Sequence, residues 1–366
     1  MKRFLVIKPS SLGDVLHAFP AVAALAQARG EEWEAHWLVQ PAFSQLLDYL
    51  PFVKKKIFFE RKRMGNLLTF LPSFFRLFTE LRREKYDVVY DLQGLLRSAL
   101  FSFLSGSPLR WGPRHPREKA ASLFYTGKME PPEGAVHAVD KLCGMIADAE
   151  KIPLPERTFL LPVSEEFKKS ALKKAEEAGL SIPERKEAGR LLISVTPGAR
   201  WKSKTWEPEF FAALIRGIRE KYPHAHFLLL GSEAEKEAAN KVKNLLGENP
   251  FCTDLSGRTE TGELVELIRL SDLLLCNDSG PMHIAAVTGT VPVAFFGPTD
   301  PALTGPCCKK ALVFQREDLS CIKCFRRECG HLSCHRGIPV EKVLEEIQNL
   351  FPAENPSHLT EKEATK

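Results

Sequence analysis

From Asp272 to Asp300 the chain reads as a strand, a helix and a second strand, and no other stretch limits the possible folds as strongly. The apolar run Leu273-Leu274-Leu275 enters a turn of small and polar residues, Asn277-Asp278-Ser279-Gly280-Pro281. A helix begins there, and Val291-Pro292-Val293-Ala294-Phe295-Phe296 then ends in Gly297-Pro298-Thr299-Asp300. Open α/β sheets take their ligands at the carboxyl ends of the strands, where this unit puts its polar residues. Asp278 or Ser279 can cap the helix, Pro281 suits its first turn, and the open amides around Gly280 suit a diphosphate. His283 falls on that first turn. Asp-Ser-Gly-Pro is also an ordinary helix start, so a ligand site needs further support.

That support comes from Thr196-Pro197-Gly198-Ala199-Arg200-Trp201-Lys202-Ser203-Lys204-Thr205-Trp206, which follows the apolar strand Leu191 to Val195. Arg200, Lys202 and Lys204, with the hydroxyl of Thr196, form a candidate phosphate clamp, because Arg binds phosphate bidentately and Lys adds a mobile point charge. A merely solvated basic loop is the alternative.

The same alternation recurs along the chain. Phe4 to Ile7, Ala35 to Val39 and Asp87 to Tyr90 read as strands of a first half, with a helix over Val15 to Ala28. Leu191 to Val195, His226 to Leu230, Leu273 to Cys276 and Val293 to Phe296 read as strands of a second half. Such alternation predicts parallel sheets covered by helices on both faces, an α/β architecture. With 366 residues, 44% of them hydrophobic, the chain can bury two cores of ordinary size. The boundary is expected within 160–185, giving domains of residues 1–165 and 166–350 and a polar tail, 351–366, expected to fray. No run approaches the roughly 18 apolar residues that span a bilayer, and the start reads as a strand rather than a signal peptide, so a cytoplasmic protein is expected.

The loop Lys8-Pro9-Ser10-Ser11-Leu12-Gly13-Asp14-Val15 joins the first strand to the first helix. Asp14 sits at the helix's amino end, where the dipole and open amides favour its ionised form, and Gly13 lets a ligand approach the backbone. An ionised carboxylate there can accept a proton from a hydroxyl nucleophile, though Asp is also common in first turns as a cap. Neither a dinucleotide fingerprint nor a Gly-Lys-Ser/Thr phosphate loop is present.

The net charge of +5 is modest but unevenly spread. From Lys54 to Lys85 there are ten Lys or Arg against three acids, interleaved with phenylalanines. After Pro72 the spacing of Phe74, Phe75, Leu77, Phe78 and Leu81 predicts a helix with a core-facing apolar side and a solvated basic side. An anionic membrane surface or an acidic substrate is the alternative use of that segment. Nucleic acid is not expected, since no binding motif accompanies the charge.

Four motifs occur in the order found in bacterial lipopolysaccharide heptosyltransferases, which this chain resembles over roughly residues 1 to 350. They are Lys8 to Val15, Asp91-Leu92-Gln93-Gly94-Leu95-Leu96-Arg97-Ser98, Lys204-Thr205-Trp206 and Asn277 to His283. The resemblance implies a GT-B glycosyltransferase of family 9: two Rossmann-like, doubly wound domains facing across a cleft, with the ADP-heptose donor in the carboxyl-terminal one. It implies a lipid-linked Kdo/heptose acceptor on the amino-terminal domain, inversion at the anomeric carbon without a required metal, and peripheral attachment to the inner face of the cytoplasmic membrane. Asp14 matches the family's general base, Lys204 its diphosphate-binding lysine, and Asp278, Ser279, Gly280 and His283 its donor motif. Glu235 resembles the acid that holds the adenosine ribose. Ser10, Ser11, Gly13, Arg61, Lys62, Arg63, Gln93, Arg97, Arg117 and His137 resemble acceptor-side positions.

Cys321, Cys324, Cys329 and Cys334 form C-x2-C-x4-C-x4-C inside a basic run. They are a candidate structural zinc set, although the spacing is wider than in ribbons and knuckles; reduced packing or surface thiols are the other reading. Two function classes stay open: a transferase, using ADP-heptose or another nucleotide sugar, and a non-catalytic nucleotide-sugar or lipid binder. Only a transferase needs Asp14.

Overall fold

A strand covered on both faces has no polar side, and Phe4, Leu5, Val6 and Ile7 are all buried, as are Leu192 to Thr196 and Leu273 to Asn277. These segments are the centres of two parallel sheets in the computed structural model, which describes residues 1–187 and 190–352. Most of the tail expected to fray, beyond Pro352, lies outside the described residues.

The first sheet contains β1 (Lys2–Ile7), β2 (Trp33–Val39), β3 (Val53–Phe58), β4 (Val88–Asp91), β5 (Leu109–Pro113) and β6 (Gly127–Met129), in the order β3-β2-β1-β4-β5-β6. The second contains β7 (Leu192–Thr196), β8 (His226–Leu229), β9 (Cys252–Asp254), β10 (Leu273–Asn277), β11 (Val291–Phe295) and β12 (Leu312–Phe314), in the order β12-β11-β10-β7-β8-β9. Every pairing is parallel. Counted from its own first strand, each sheet has the order 3-2-1-4-5-6, the doubly wound arrangement expected from the alternation. Its direction of winding reverses between the first and fourth strands, so the switch points are β1/β4 and β7/β10.

One compact unit comprises Met1–Glu165 with two short returns, Ala286–Gly289 and Ala302–Lys309. Its sheet packs Leu5, Ile7, Leu38, Ile57 and Val89 against Leu77, Leu81 and Phe101. The other unit carries the remaining described residues. In its core Trp206 stacks on Phe295 at a centroid distance of 3.9 Å, and helices Pro208–Lys221 and Val340–Leu350 contribute Phe211, Leu214, Ile218, Val343 and Ile347.

One reading of the basic segment is corrected, the start of its helix. The segment opens with an edge strand, Val53–Phe58, whose Lys55 and Lys56 pair with Glu84 at 2.6 Å and Asp48 at 2.5 Å. The helix starts at Leu67, before Pro72, and runs to Arg83, capped by Asn66 Oδ1, which accepts from the Leu68 N–H at 2.9 Å. Leu77 and Leu81 face the core as expected, but Phe75 is exposed.

Candidate functional site

Because all strands in a unit are parallel, every strand-to-helix loop leaves from the same edge of its sheet. In the first unit that edge collects Ser10, Ser11 and Gly13 after β1, Arg61, Lys62 and Arg63 after β3, Gln93 and Arg97 after β4, Arg117 after β5 and His137 after β6. At the β1/β4 switch point the buried Lys8 ammonium donates to the Leu92 carbonyl at 2.8 Å, tying the two central loops together. Burial pushes the Lys8 amine down, while Asp14 and Asp91 oppose that shift.

Asp14 lies in the first turn of helix Leu12–His17. Its Oδ2 accepts from the Ser11 N–H at 2.8 Å and from the Ser11 hydroxyl at 2.7 Å. Burial alone would raise its pKa, but the Lys8 ammonium and the two Ser11 donors outweigh it and hold the carboxyl below its usual range. Asp14 is therefore ionised at neutral pH, and it keeps some exposure to solvent. An ionised carboxylate with an accessible oxygen is a competent proton acceptor.

Asp91 is different. It is fully buried, and desolvation pushes its carboxyl up despite the bonds it accepts from the Tyr125 hydroxyl (2.7 Å) and the N–H groups of Gln93 (2.9 Å) and Gly94 (3.2 Å). Its work is to shape the loop, whose Gly94 adopts a φ of 68° that a side chain would strain. That loop leaves Gln93 Oε1 buried without a hydrogen-bond partner. Arg97, Arg117 and the Arg61-Lys62-Arg63 turn are exposed. Arg97 lies 5.5 Å from the Phe59 ring centre, and Arg63 pairs with Glu60 at 2.9 Å. His137 is engaged by the chain itself: it caps helix Ala138–Glu150 by accepting from the Val139 N–H at 3.2 Å, and its Nε2 lies 3.1 Å from the Gly305 carbonyl. With Nδ1 accepting, Nε2 carries the proton.

In the second unit the switch point β7/β10 is closed by Asn277. This fully buried amide accepts from the Trp206 N–H at 2.8 Å and donates to the Pro197 carbonyl at 2.8 Å, so it pins the basic loop to the end of β10. Lys204 Nζ then lies 2.6 Å from Asp278 Oδ2, with side-chain exposures of 18% and 4%. The same oxygen accepts from the Thr299 hydroxyl at 2.6 Å. A cation held at a helix start, beside the open amides of Ser279 and Gly280, suits a diphosphate. Thr196 Oγ1 and Ser279 Oγ are buried without hydrogen-bond partners, as polar groups awaiting a ligand would be. His283 is buried in the first turn of helix Gly280–Thr288. Glu235, half-buried beside Gly198 and Gly231, accepts from the Ser232 N–H and hydroxyl at 2.9 and 2.7 Å through Oε2. Arg200 and Lys202 are exposed.

Several residues that brace this clamp had no clear signal in the sequence, because they lie far along the chain. His335, fully buried, lies 3.0 Å from the Ser203 carbonyl, and burial pushes its imidazole down to about 4. The Ser203 hydroxyl donates to the Arg326 carbonyl at 2.6 Å. Lys204 and Arg327 lie 4.8 and 5.2 Å from the Trp201 ring centre, and Arg336 grips both carboxylate oxygens of Glu207 at 2.8 Å. The cysteine-bearing segment is thus a strap on the clamp loop. Among the described residues no three His, Cys, Asp or Glu side chains are gathered to hold a metal ion, so the arrangement adds no support to the candidate zinc set. Cys321 and Cys324 are exposed while Cys334 is buried, where desolvation raises its thiol pKa.

Residues 74–335, well over half of the chain, match the model for glycosyltransferase family 9 (heptosyltransferase). Lipopolysaccharide heptosyltransferase 1 of Pseudomonas aeruginosa is 28% identical over 335 residues, covering 90% of this chain and 88% of that protein. Lipooligosaccharide heptosyltransferase 2 of Campylobacter jejuni is 26% identical over 356 residues, covering 96% and 98%. The solved structure of ADP-heptose lps heptosyltransferase II from E. coli superposes with a TM-score of 0.74 at 26% identity, covering 96% of this chain and 98% of that one.

Proposed function

The chain belongs to glycosyltransferase family 9, and from that premise we propose that it is an inverting transferase that moves heptose from ADP-heptose to the Kdo/heptose inner core of lipopolysaccharide. The observation that carries the reading is the Lys204–Asp278–Thr299 constellation at the β7/β10 switch point, beside the buried, unpartnered hydroxyls of Thr196 and Ser279. In this reading Lys204 and the amides at Ser279 and Gly280 carry the charge that develops on ADP as it departs. Thr196, Arg200, Lys202 and His283 complete the donor contacts, and Glu235 takes the ribose through Oε1, since Oε2 is held by Ser232.

On the first unit Asp14 removes the proton from an acceptor hydroxyl, and that oxygen attacks the anomeric carbon from the face opposite ADP, inverting it. Ser11 fixes the carboxylate's orientation and Lys8 keeps it ionised. Ser10, Gly13, Gln93, Arg97, Arg117, His137 and the Arg61-Lys62-Arg63 turn receive the acidic, lipid-linked acceptor. That acceptor places the enzyme peripherally at the inner face of the cytoplasmic membrane. Transfer needs no metal, because the donor's negative charge is met by Lys204 and by backbone amides.

Turnover of ADP-heptose with Kdo-lipid acceptors, with and without the first heptose, tests this function. Transfer to one of the two, undiminished after treatment with a chelator, is expected. ADP binding without turnover on either acceptor would favour a non-catalytic binder, and turnover of a different nucleotide sugar would replace the donor.

A further inference from the structure

Helix Leu67–Arg83 turns an apolar stripe away from the protein. Leu68, Leu71, Pro72 and Phe75 fall at i, i+3, i+4 and i+7, on the side opposite Leu77, which is buried in the core with Leu81. Leu68, Leu71 and Phe75 are 89%, 59% and 58% exposed. Phe75 makes an edge contact with Phe74, which stacks on Phe70 and on Phe78, so the stripe is braced by rings rather than loose. A soluble surface rarely carries so many large apolar side chains side by side.

The charge around the stripe is predominantly positive, although Glu60, just before the turn, pairs with Arg63 and Arg76. Between residues 61 and 83 the chain carries Arg61, Lys62, Arg63, Arg76, Arg82 and Arg83 against Glu80 alone. The three cations of the 61–63 turn are exposed, as are Arg76, Arg82 and Arg83. Self-association through this face would be isologous and would bring the two sets of cations together, which disfavours a second copy as the occupant. An anionic lipid surface satisfies both features: headgroups meet the cations and the boundary with the acyl chains takes the leucines and Phe75.

We propose that the outer face of helix Leu67–Arg83, with the Arg61-Lys62-Arg63 turn, docks the protein on an anionic bilayer, the side chains of Leu68, Leu71 and Phe75 entering below the headgroups. The proposal rests on the reading that the acceptor is lipid-linked, and names the surface that brings the enzyme to it. Docking here sets the first unit's acceptor-side loops beside the membrane, since the 61–63 turn leaves the same sheet edge as Asp14 and Gln93.

The test is co-sedimentation of the full-length protein with vesicles of phosphatidylcholine alone and of phosphatidylcholine mixed with phosphatidylglycerol. Binding to the mixed vesicles only, weakening about fivefold for each cation screened as salt is raised, is expected. The triple variant Leu68→Ser, Leu71→Ser, Phe75→Ser should lower the partition coefficient at least about tenfold, and Leu160→Ser, an exposed leucine elsewhere, should leave it unchanged. An unchanged melting temperature shows that the triple variant is folded, and transfer to a deacylated, water-soluble acceptor should be unaffected in it. Equal binding to both vesicle types, wild-type binding by the triple variant, or a dimer in sedimentation velocity that the triple variant dissolves would overturn the proposal. Loss of transfer in the wild type with vesicle binding intact would instead overturn the transferase reading and leave the docking face standing.

Discussion

Replacing Lys204 with Met separates what the clamp does for the fold from what it does for the donor. Two unit charges 2.6 Å apart attract by about 6 kcal/mol at an effective dielectric near 20. Most of that offsets the desolvation of both groups, so the pair adds little net stability. Removing one partner, however, strands the Asp278 carboxylate, which keeps only the Thr299 hydroxyl and the nearby backbone, and such stranding costs about 3–5 kcal/mol. Because Lys204 retains some exposure, the lower end applies, about 3 kcal/mol. For a unit of this size that is a fall of roughly 6–12 °C in the melting temperature of the carboxyl-terminal unit. Adding Asp278→Asn removes the stranded charge and should recover at least half of the loss. Affinity for ADP should behave otherwise: calorimetry should find it about 10- to 100-fold weaker in Lys204→Met and no better in the double variant, since the cation itself meets the diphosphate. A single variant within about 1 kcal/mol of wild type, or a double variant as unstable as the single, would refute the stranded-charge argument. Unchanged ADP affinity in a folded Lys204→Met protein would make the pair purely structural.

Asp14→Asn should keep ADP affinity while transfer drops by on the order of a hundredfold or more; near-normal turnover would remove Asp14 from the role of base. Since Lys8 and Ser11 hold the Asp14 carboxyl below its usual range, the acid limb of the kcat/KM profile in wild type should lie below that range too, and Ser11→Ala should move it upward. His335 and His226 are buried with pKa values pushed down to about 4 from 6.5, so the unfolded chain takes up protons that the folded one refuses. Stability is then complete above about 6.5 and is lost as pH falls toward 4, about 2 kcal/mol per histidine between pH 7 and 5. Urea unfolding of the carboxyl-terminal unit at those two pH values checks it, and His226→Gln should remove about half of the difference. Replacing Arg61, Lys62 and Arg63 with Ser should raise the acceptor's KM and flatten its salt dependence without altering ADP affinity; steady-state kinetics at two ionic strengths decides.

What the sequence determined by itself is clearest at the sheet centres. Phe4 to Ile7 and Leu273 to Cys276 are apolar without alternation, and Leu192 to Val195 is apolar but for the buried Ser194, because both faces are covered; that pattern is visible in the residues alone. So are the polar loops that follow those strands, since small residues, caps and clustered cations are local chemistry. The outer strands were not legible. Val53–Phe58, Cys252–Asp254, Gly127–Met129 and Leu312–Phe314 are edge strands, mostly short, and one carries three consecutive lysines. Their conformation is set by the neighbour they pair with rather than by their own apolar content. Nor could a local reading foresee that Lys204 would meet Asp278, that Asn277 would stitch Pro197 to Trp206, or that the cysteine-bearing strap would brace Ser203 through His335. Those contacts join residues about 70 to 130 positions apart; the first two depend on the doubly wound order, which makes β7 and β10 neighbours, and the third on the return of the chain after β12. The outward stripe of helix Leu67–Arg83 belongs to the same class: its periodicity was readable, but which apolar side met the core was decided by the sheet it packs against.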